Sequence, residues 1–150
     1  MADTPNLGIT LMSAAQAQKH VTFNEAMQDI DDLLGGAAML KTVTEELAGL
    51  SGASVTTTVY FPNQCIVLGA SVRVTAAIVG ATSFDCGDGS SASRFGGTLG
   101  VALGSTNQGT VGPAGNYSDT SVVLTANGGN FTGGSVKVSL HYIELTIPAA

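Results

Sequence analysis

The chain is 150 residues long, 44% hydrophobic and only 11% charged, and its charges sum to −6. That length fits one domain, or one modest domain with an appendage, and five Lys and Arg residues leave no cationic footprint for a nucleic acid. The chain has no Trp, three Tyr and five Phe, too few for a broad stacking platform, and no apolar run of the roughly 18 residues that cross a bilayer.

The opening residues, Met1-Ala2-Asp3-Thr4-Pro5-Asn6, lack a basic stretch leading into a hydrophobic one, so the expectation is a chain without a secretory signal. Further on, Ser13 can cap a helical turn or two through Lys19. Thr22-Phe23-Asn24-Glu25 is a capping box: the Thr22 hydroxyl accepts from the N–H of Glu25, and the Glu25 carboxylate reaches back to the N–H of Thr22. Phe23, Ala26, Met27, Ile30, Leu33 and Leu34 follow at helical spacing and predict a helix over 23–34. Gly35-Gly36 supplies its left-handed stop. Three turns cannot bury a core alone, so this stripe has to pack on the rest of the chain, on copies of itself or on another protein.

Composition changes between residues 40 and 52. Seven of the eleven acidic residues lie at or before Glu46, and short β-runs separated by glycine-rich turns follow residue 52. The reading is an N-terminal helical attachment segment, 1–50, and a C-terminal β-domain, 51–150. Val55, Thr57, Val59 and Phe61 alternate with Ser54, Thr56, Thr58 and Tyr60, and Pro62-Asn63 turns the chain. Ile66, Leu68, Ala70, Val72, Val74 and Ala76 form a long apolar face opposite Gly69, Ser71, Arg73 and Thr75. Cys65 and Val67 add apolar character to the other side at the start of that strand. Strands are also predicted over 98–103 and 121–126, with Asn127-Gly128-Gly129-Asn130 as a hairpin loop. In the last strand Val136, Val138 and Leu140 share a face, after which Ile143, Leu145 and Ile147 take the other. A bulge or a change of packing partner is expected there. The whole predicts a mainly β chain: an antiparallel, jelly-roll-like β-sandwich preceded by a short α-helical segment.

The chemistry-bearing residues converge poorly. A metal site needs three or four ligands, and His20 and His141 are the only imidazoles, so no metal and no cofactor is expected. Asp85 and Asp88 lie three apart in a glycine-rich loop, a partial calcium loop that lacks its other acids and is better read as a plain turn with solvated aspartates. Asp85 and Asp119 permit a glycosidase pairing, as any two acids on a β-protein do. Cys65 and Cys86 have neither CxxC spacing nor a histidine tied to them, and read as buried free thiols of a reducing cytosol, with a disulfide between them as the alternative. Serine-hydrolase and phosphate-loop signatures are absent, so the chain reads as a non-enzyme. The loops Gly104–Gly109 and Asn116–Asp119 carry Asn107, Gln108, Asn116, Tyr117 and Asp119; amides and hydroxyls with an aromatic can hold a glycan, or merely line a turn.

The run Thr4-Pro5-Asn6-Leu7-Gly8-Ile9, continuing through Ala15-Gln16-Ala17-Gln18-Lys19-His20-Val21-Thr22-Phe23-Asn24-Glu25-Ala26, resembles a domain of unknown function found in prophage and gene-transfer-agent structural proteins of alphaproteobacteria. Its hallmark is AQAQKHVTxNEAL, matched here nearly throughout with Met27 at the final Leu. Segments 79–87, 93–100 and 125–134 resemble the end domain of longer members, whose middle segment this chain lacks. The resemblance implies a virion component assembled in the bacterial cytoplasm, of head-spike, head-fibre or tail-fibre type. It further implies a symmetric homo-oligomer, trimer or pentamer, bound to other virion proteins, and in some relatives a contact with capsule polysaccharide. With the capping box and the apolar stripe accounted for, Gln16, Gln18, Lys19, His20 and Asn24 remain as the expected virion-docking or oligomer-contact surface.

Overall fold

A computed structural model describes residues 24–30 and 39–145. The chain divides into two units, Met1–Met39 with Leu145–Ala150, and Leu40–Glu144. In the first, residues 24–30 are helical, within the predicted span, with Met27 half-buried and Ile30 exposed. The rest of that helix, its Thr22 cap, the Gly35-Gly36 stop and the turn expected at 13–19 lie outside the described residues.

The second unit is a sandwich of eight antiparallel strands: β1 (Met39–Ala48), β2 (Ser54–Phe61), β3 (Cys65–Val79), β4 (Ser83–Gly87), β5 (Gly96–Leu99), β6 (Thr106–Asn116), β7 (Thr120–Asn127) and β8 (Gly133–Glu144). One sheet runs β1-β8-β3-β6 and the other β2-β7-β4-β5. Strands 1 and 8, 2 and 7, 3 and 6, and 4 and 5 are neighbours, the pattern of one long hairpin rolled over on itself, which is the jelly roll. β1 is part of this sandwich: Leu47 is buried and Val43 packs on the core, while Thr42, Thr44 and Glu46 face out. Residues 40–50 thus lie with the β-domain, although their acids group them in composition with the N-terminal segment.

β2 alternates as its sequence predicts, burying Thr57 and Phe61 and exposing Thr56, Thr58 and Tyr60. In β3 the apolar phase shifts. Cys65 and Val67 point inward, a register irregularity falls between Val67 and Gly69, and Ala70, Val72 and Val74 then continue the inner face. Ile66 and Leu68, expected inside, are only half-buried on the outer side, because the extra residue at a bulge exchanges the two faces. β8 behaves in the opposite way. Val136, Val138, Leu140 and Tyr142 are all inward without interruption, so the expected face switch after Leu140 does not occur; Tyr142 carries the inner face, and Ile143 belongs to the outer one beside Ile66.

The two sheets are joined through aromatic rings. Phe61 on β2 lies 5.7 Å from Phe95 and 6.0 Å, edge to face, from Tyr142 on β8. Val122, Leu124, Val136, Val138 and Leu140 are fully buried around them, and burying each such side chain contributes about 1.5–3 kcal/mol. Closure on the β6 side requires a glycine. A Cβ on Gly109 would stand 1.8 Å from the carbonyl oxygen of Phe95, and the same oxygen accepts 2.8 Å from Asn107 Nδ2.

Candidate functional site

The outward side chains of the β1-β8-β3-β6 sheet form rows across the strands. A polar row of three hydroxyls and an amide joins Thr44, Ser139, Ser71 and Gln108: Ser71 is the register partner of both Ser139 and Gln108, and Thr44 Oγ1 lies 2.7 Å from Ser139 Oγ. One step along, His141 lies beside Gly69, which in turn pairs with Thr110. The imidazole is fixed from two sides, with Nδ1 3.1 Å from Thr42 Oγ1 and Nε2 2.8 Å from Ser71 Oγ. In the other direction Arg73 stands between Lys137 and Thr106. At the far end Ile66 stands between Ile143 and Gly115.

Two shallow depressions lie on this face. One, of about 350 Å³, is lined by Leu68, Ser71, Gln108, Thr110 and His141 over the backbones of Gly69 and Gly109. The other, of about 280 Å³, is lined by Ser71, Arg73, Thr106, Asn107, Lys137 and Ser139 among others. Ser71 and Gln108 line both, so the two form one groove running from His141 to Arg73. Gly69 shapes its floor. Its φ is +154° and a Cβ there would lie 2.1 Å from the Gly109 carbonyl oxygen, so only glycine lets β6 approach β3 at this point.

The charges of the unit are distributed unevenly. Lys41 pairs with Glu144, and Arg94 with Asp88 at 2.7 Å. The hydrogen bond that Lys41 donates to Glu144 leads in raising its ammonium above the ordinary range. Among the described residues no carboxylate lies within ion-pair distance of Arg73 or Lys137. Glu46 lies on the same face, but its Oε1 accepts from the Thr75 hydroxyl at 2.7 Å.

Of the residues singled out for docking, Gln16, Gln18, Lys19 and His20 lie outside the described residues, and Asn24 is the first residue of the helical stretch 24–30. The five glycan candidates fall at two ends of β6, roughly 25 Å apart at the rise of a strand. Asn107 and Gln108 are in β6 itself, not in the loop predicted for them. Gln108 lines the groove, whereas the Asn107 amide is held by Phe95 O. At the other end the Asn116 amide donates to the carbonyls of Phe61, Pro62 and Ser118. Asp119 accepts from the N–H of Asn63 at 2.9 Å, and Tyr117 is 86% exposed.

The carboxylates considered for calcium or glycoside chemistry hold loops together. Asp85 Oδ1 accepts from the Thr98 N–H and from Asn127 Nδ2. Asp88 is buried, with Oδ1 accepting from the N–H groups of Ser90 and Ser91 and Oδ2 from Arg94. Burial opposes its ionisation, but the Ser91 N–H, Arg94 and the Ser90 N–H together hold its carboxyl below the usual range. Cys65 and Cys86 are buried free thiols, and burial pushes Cys86 up to about 12. Asp85 and Cys86 lie within β4, so of the two aspartates expected in a loop only Asp88 is in one. Among the described residues no three His, Cys, Asp or Glu side chains converge as metal ligands, and no helix is long and apolar enough to cross a membrane.

The groove residues Ser71, Arg73, Lys137, Ser139 and His141 were not singled out by motif. The available signal was the polar phase of β3 and β8, opposite the apolar residues, but which polar phases meet across a sheet depends on strand order. No family profile and no curated protein sequence matches the chain. Among solved structures it is similar to a chain of the cyanophage Pam1 capsid asymmetric unit, at 19% identity and a TM-score of 0.49, over 96% of this chain and 99% of that one. A likeness of that degree carries no functional inference.

Proposed function

We propose that the chain is a non-enzymatic structural component of a phage-like or gene-transfer-agent-like particle, a head spike, fibre or spike base. Its N-terminal segment, through Gln16, Gln18, Lys19, His20 and Asn24, docks on other virion proteins, and its β-domain assembles as a trimer or pentamer. The observation that carries this reading is the run AQAQKHVTFNEA at 15–26. Three features support it: a jelly roll with long strands and a hydroxyl-rich surface, an apolar helix residue, Ile30, left 42% exposed, and carboxylates engaged in holding loops. Light scattering after size exclusion, with pull-down against capsid and portal-vertex proteins, tests it. A closed oligomer captured by a virion protein is the expected result; a monomer with no virion partner rejects the reading. Replacing Lys19 and His20 by Ala should impair assembly or incorporation while the β-domain stays folded.

A second reading is a host-attachment protein that binds capsule polysaccharide. The groove over Gly69, with Gln108 on its wall, favours it. Binding to capsulated but not acapsular cells is its expected signature, and intact particle incorporation without any glycan binding rejects it.

A further inference from the structure

Arg73 and Lys137 are an electrostatic anomaly. The chain has five cationic side chains and a net charge of −6, yet two of the five are direct register partners on adjacent strands. Like charges placed directly opposite destabilise a sheet. Neither has a carboxylate within ion-pair distance among the described residues. Both line a depression whose remaining polar walls are hydroxyls and amides, from Ser71, Thr106, Asn107, Gln108 and Ser139. An anion lying between the two cations turns the repulsion into two attractions, and the planar guanidinium of Arg73 fits a carboxylate with two parallel N–H donors.

The rest of the groove says what kind of molecule carries the anion. One row from the cations, about 7 Å away at two residues of strand rise, Ser71, Ser139 and Gln108 offer hydroxyls and an amide. His141, held by Thr42 and Ser71, lies one row further. Those groups exchange hydrogen bonds with hydroxyls. A net charge of −6 and a lining with two cations, Arg73 and Lys137, disfavour a dense polyphosphate, whose binding needs many cationic contacts.

We propose that this groove binds an acidic saccharide, with Arg73 and Lys137 taking a carboxylate and Ser71, Ser139, Gln108 and His141 taking ring hydroxyls. The proposal deepens the attachment reading and rests on it. Oligomers of galacturonate, glucuronate and mannuronate six residues long, each also as its methyl ester, are titrated calorimetrically into the full chain at low and moderate salt. The expected result is that at least one acid form binds at least tenfold more tightly than its ester, and that its affinity falls as salt rises. Arg73→Gln and Lys137→Gln should each weaken the acid several-fold, and together abolish its advantage over the ester. Ser71→Ala and Gln108→Ala should weaken both forms.

Equal binding of acid and ester, or acid binding untouched by the two cation variants, overturns the proposal and leaves the attachment reading standing. No binding of any oligomer overturns the proposal, whereas loss of binding to capsulated cells is what decides the attachment reading. A changed oligomeric mass in the cation variants, with saccharide binding unchanged, assigns the pair to the acidic segment of a second copy and overturns it too. Thermal melts guard the variants: relief of like-charge repulsion should hold or raise Tm, and a clear drop means that Arg73 and Lys137 serve the fold instead.

Discussion

Glu45, on the edge strand of one sheet, holds the edge strand of the other through Thr58. Its Oε2 accepts the backbone N–H of Thr58 at 2.7 Å and that of Val59 at 3.0 Å, and its Oε1 accepts the Thr58 hydroxyl. The β2–β7 ladder is irregular between Thr56 and Tyr60, which leaves those two N–H groups without strand partners. Glu45→Ala removes their acceptor and opens this side of the sandwich. A loss of about 1–3 kcal/mol is expected in urea unfolding, together with faster amide exchange confined to Thr58 and Val59; unchanged exchange there would sink the assignment.

The same irregularity is sealed from inside by Thr57. Its buried hydroxyl accepts from the Val122 N–H at 3.0 Å and donates toward the carbonyls of Val59 and Val122. Thr57→Val keeps the shape and removes the polar atom, stranding a buried N–H. The expected cost is about 1–3 kcal/mol, with little change for Thr56→Val on the exposed face of the same strand. Equal effects at the two positions would show that the hydroxyl is not what matters.

Gly109→Ala puts a methyl group where the Phe95 carbonyl oxygen already lies. Neither side can yield cheaply, since the clash is with a backbone carbonyl and Gly109 lies within β6. About 3 kcal/mol or more should be lost, whereas Gly112→Ala on the same strand, with nothing within 4 Å, should fold normally. Tm values of the two variants make the comparison.

Asp88 gives the unit an acid-sensitive loop. Its folded carboxyl titrates below the ordinary 3.8, so its stabilisation is fully present above about pH 4 and is lost as pH falls through the lower folded value. Asp88→Asn lacks this dependence. The stability gap between the two proteins should be constant from pH 5 to 7 and narrow progressively below about pH 4; a gap that does not narrow as pH falls refutes the role given to Asp88.

The thiols should be silent in the folded protein. With Cys86 pushed up to about 12 by burial, and Cys65 raised for the same reason, neither presents a thiolate at pH 8. Ellman's reagent should therefore detect both only after denaturation. Prompt reaction of the native chain would mean that the sandwich opens near β3 or β4.

Alternation made β2, β7 and β8 readable because each has one buried and one wetter face. β6 was not readable. It has no fully buried residue, its glycines serve close approach rather than turning, and an edge strand of Thr, Asn, Gln and Gly looks like a loop. β1 was hidden by its acids, since Glu45 faces inward only to reach β2. The Leu68 bulge reversed the phase of β3, and no single strand reveals that; Tyr142 masked the continuity of β8 because a phenol reads as polar or apolar with equal ease. The groove was legible only in halves, Arg73 in one strand and Lys137 in another 64 positions later, until the strand order placed them side by side.

Because β1 and β8 are antiparallel neighbours, the start of β1 and the end of β8 lie side by side, at Lys41 and Glu144. Tension applied across those ends would peel the two strands apart like a zip, breaking one rung at a time. The first rungs in line are the Lys41–Glu144 ion pair and the Thr42–His141 contact. Load carried by one end alone, against a grip elsewhere on the sandwich, is instead shared along the whole length of the strand. Single-molecule pulling along the two directions should therefore give two well-separated rupture forces, the lower one across the paired ends.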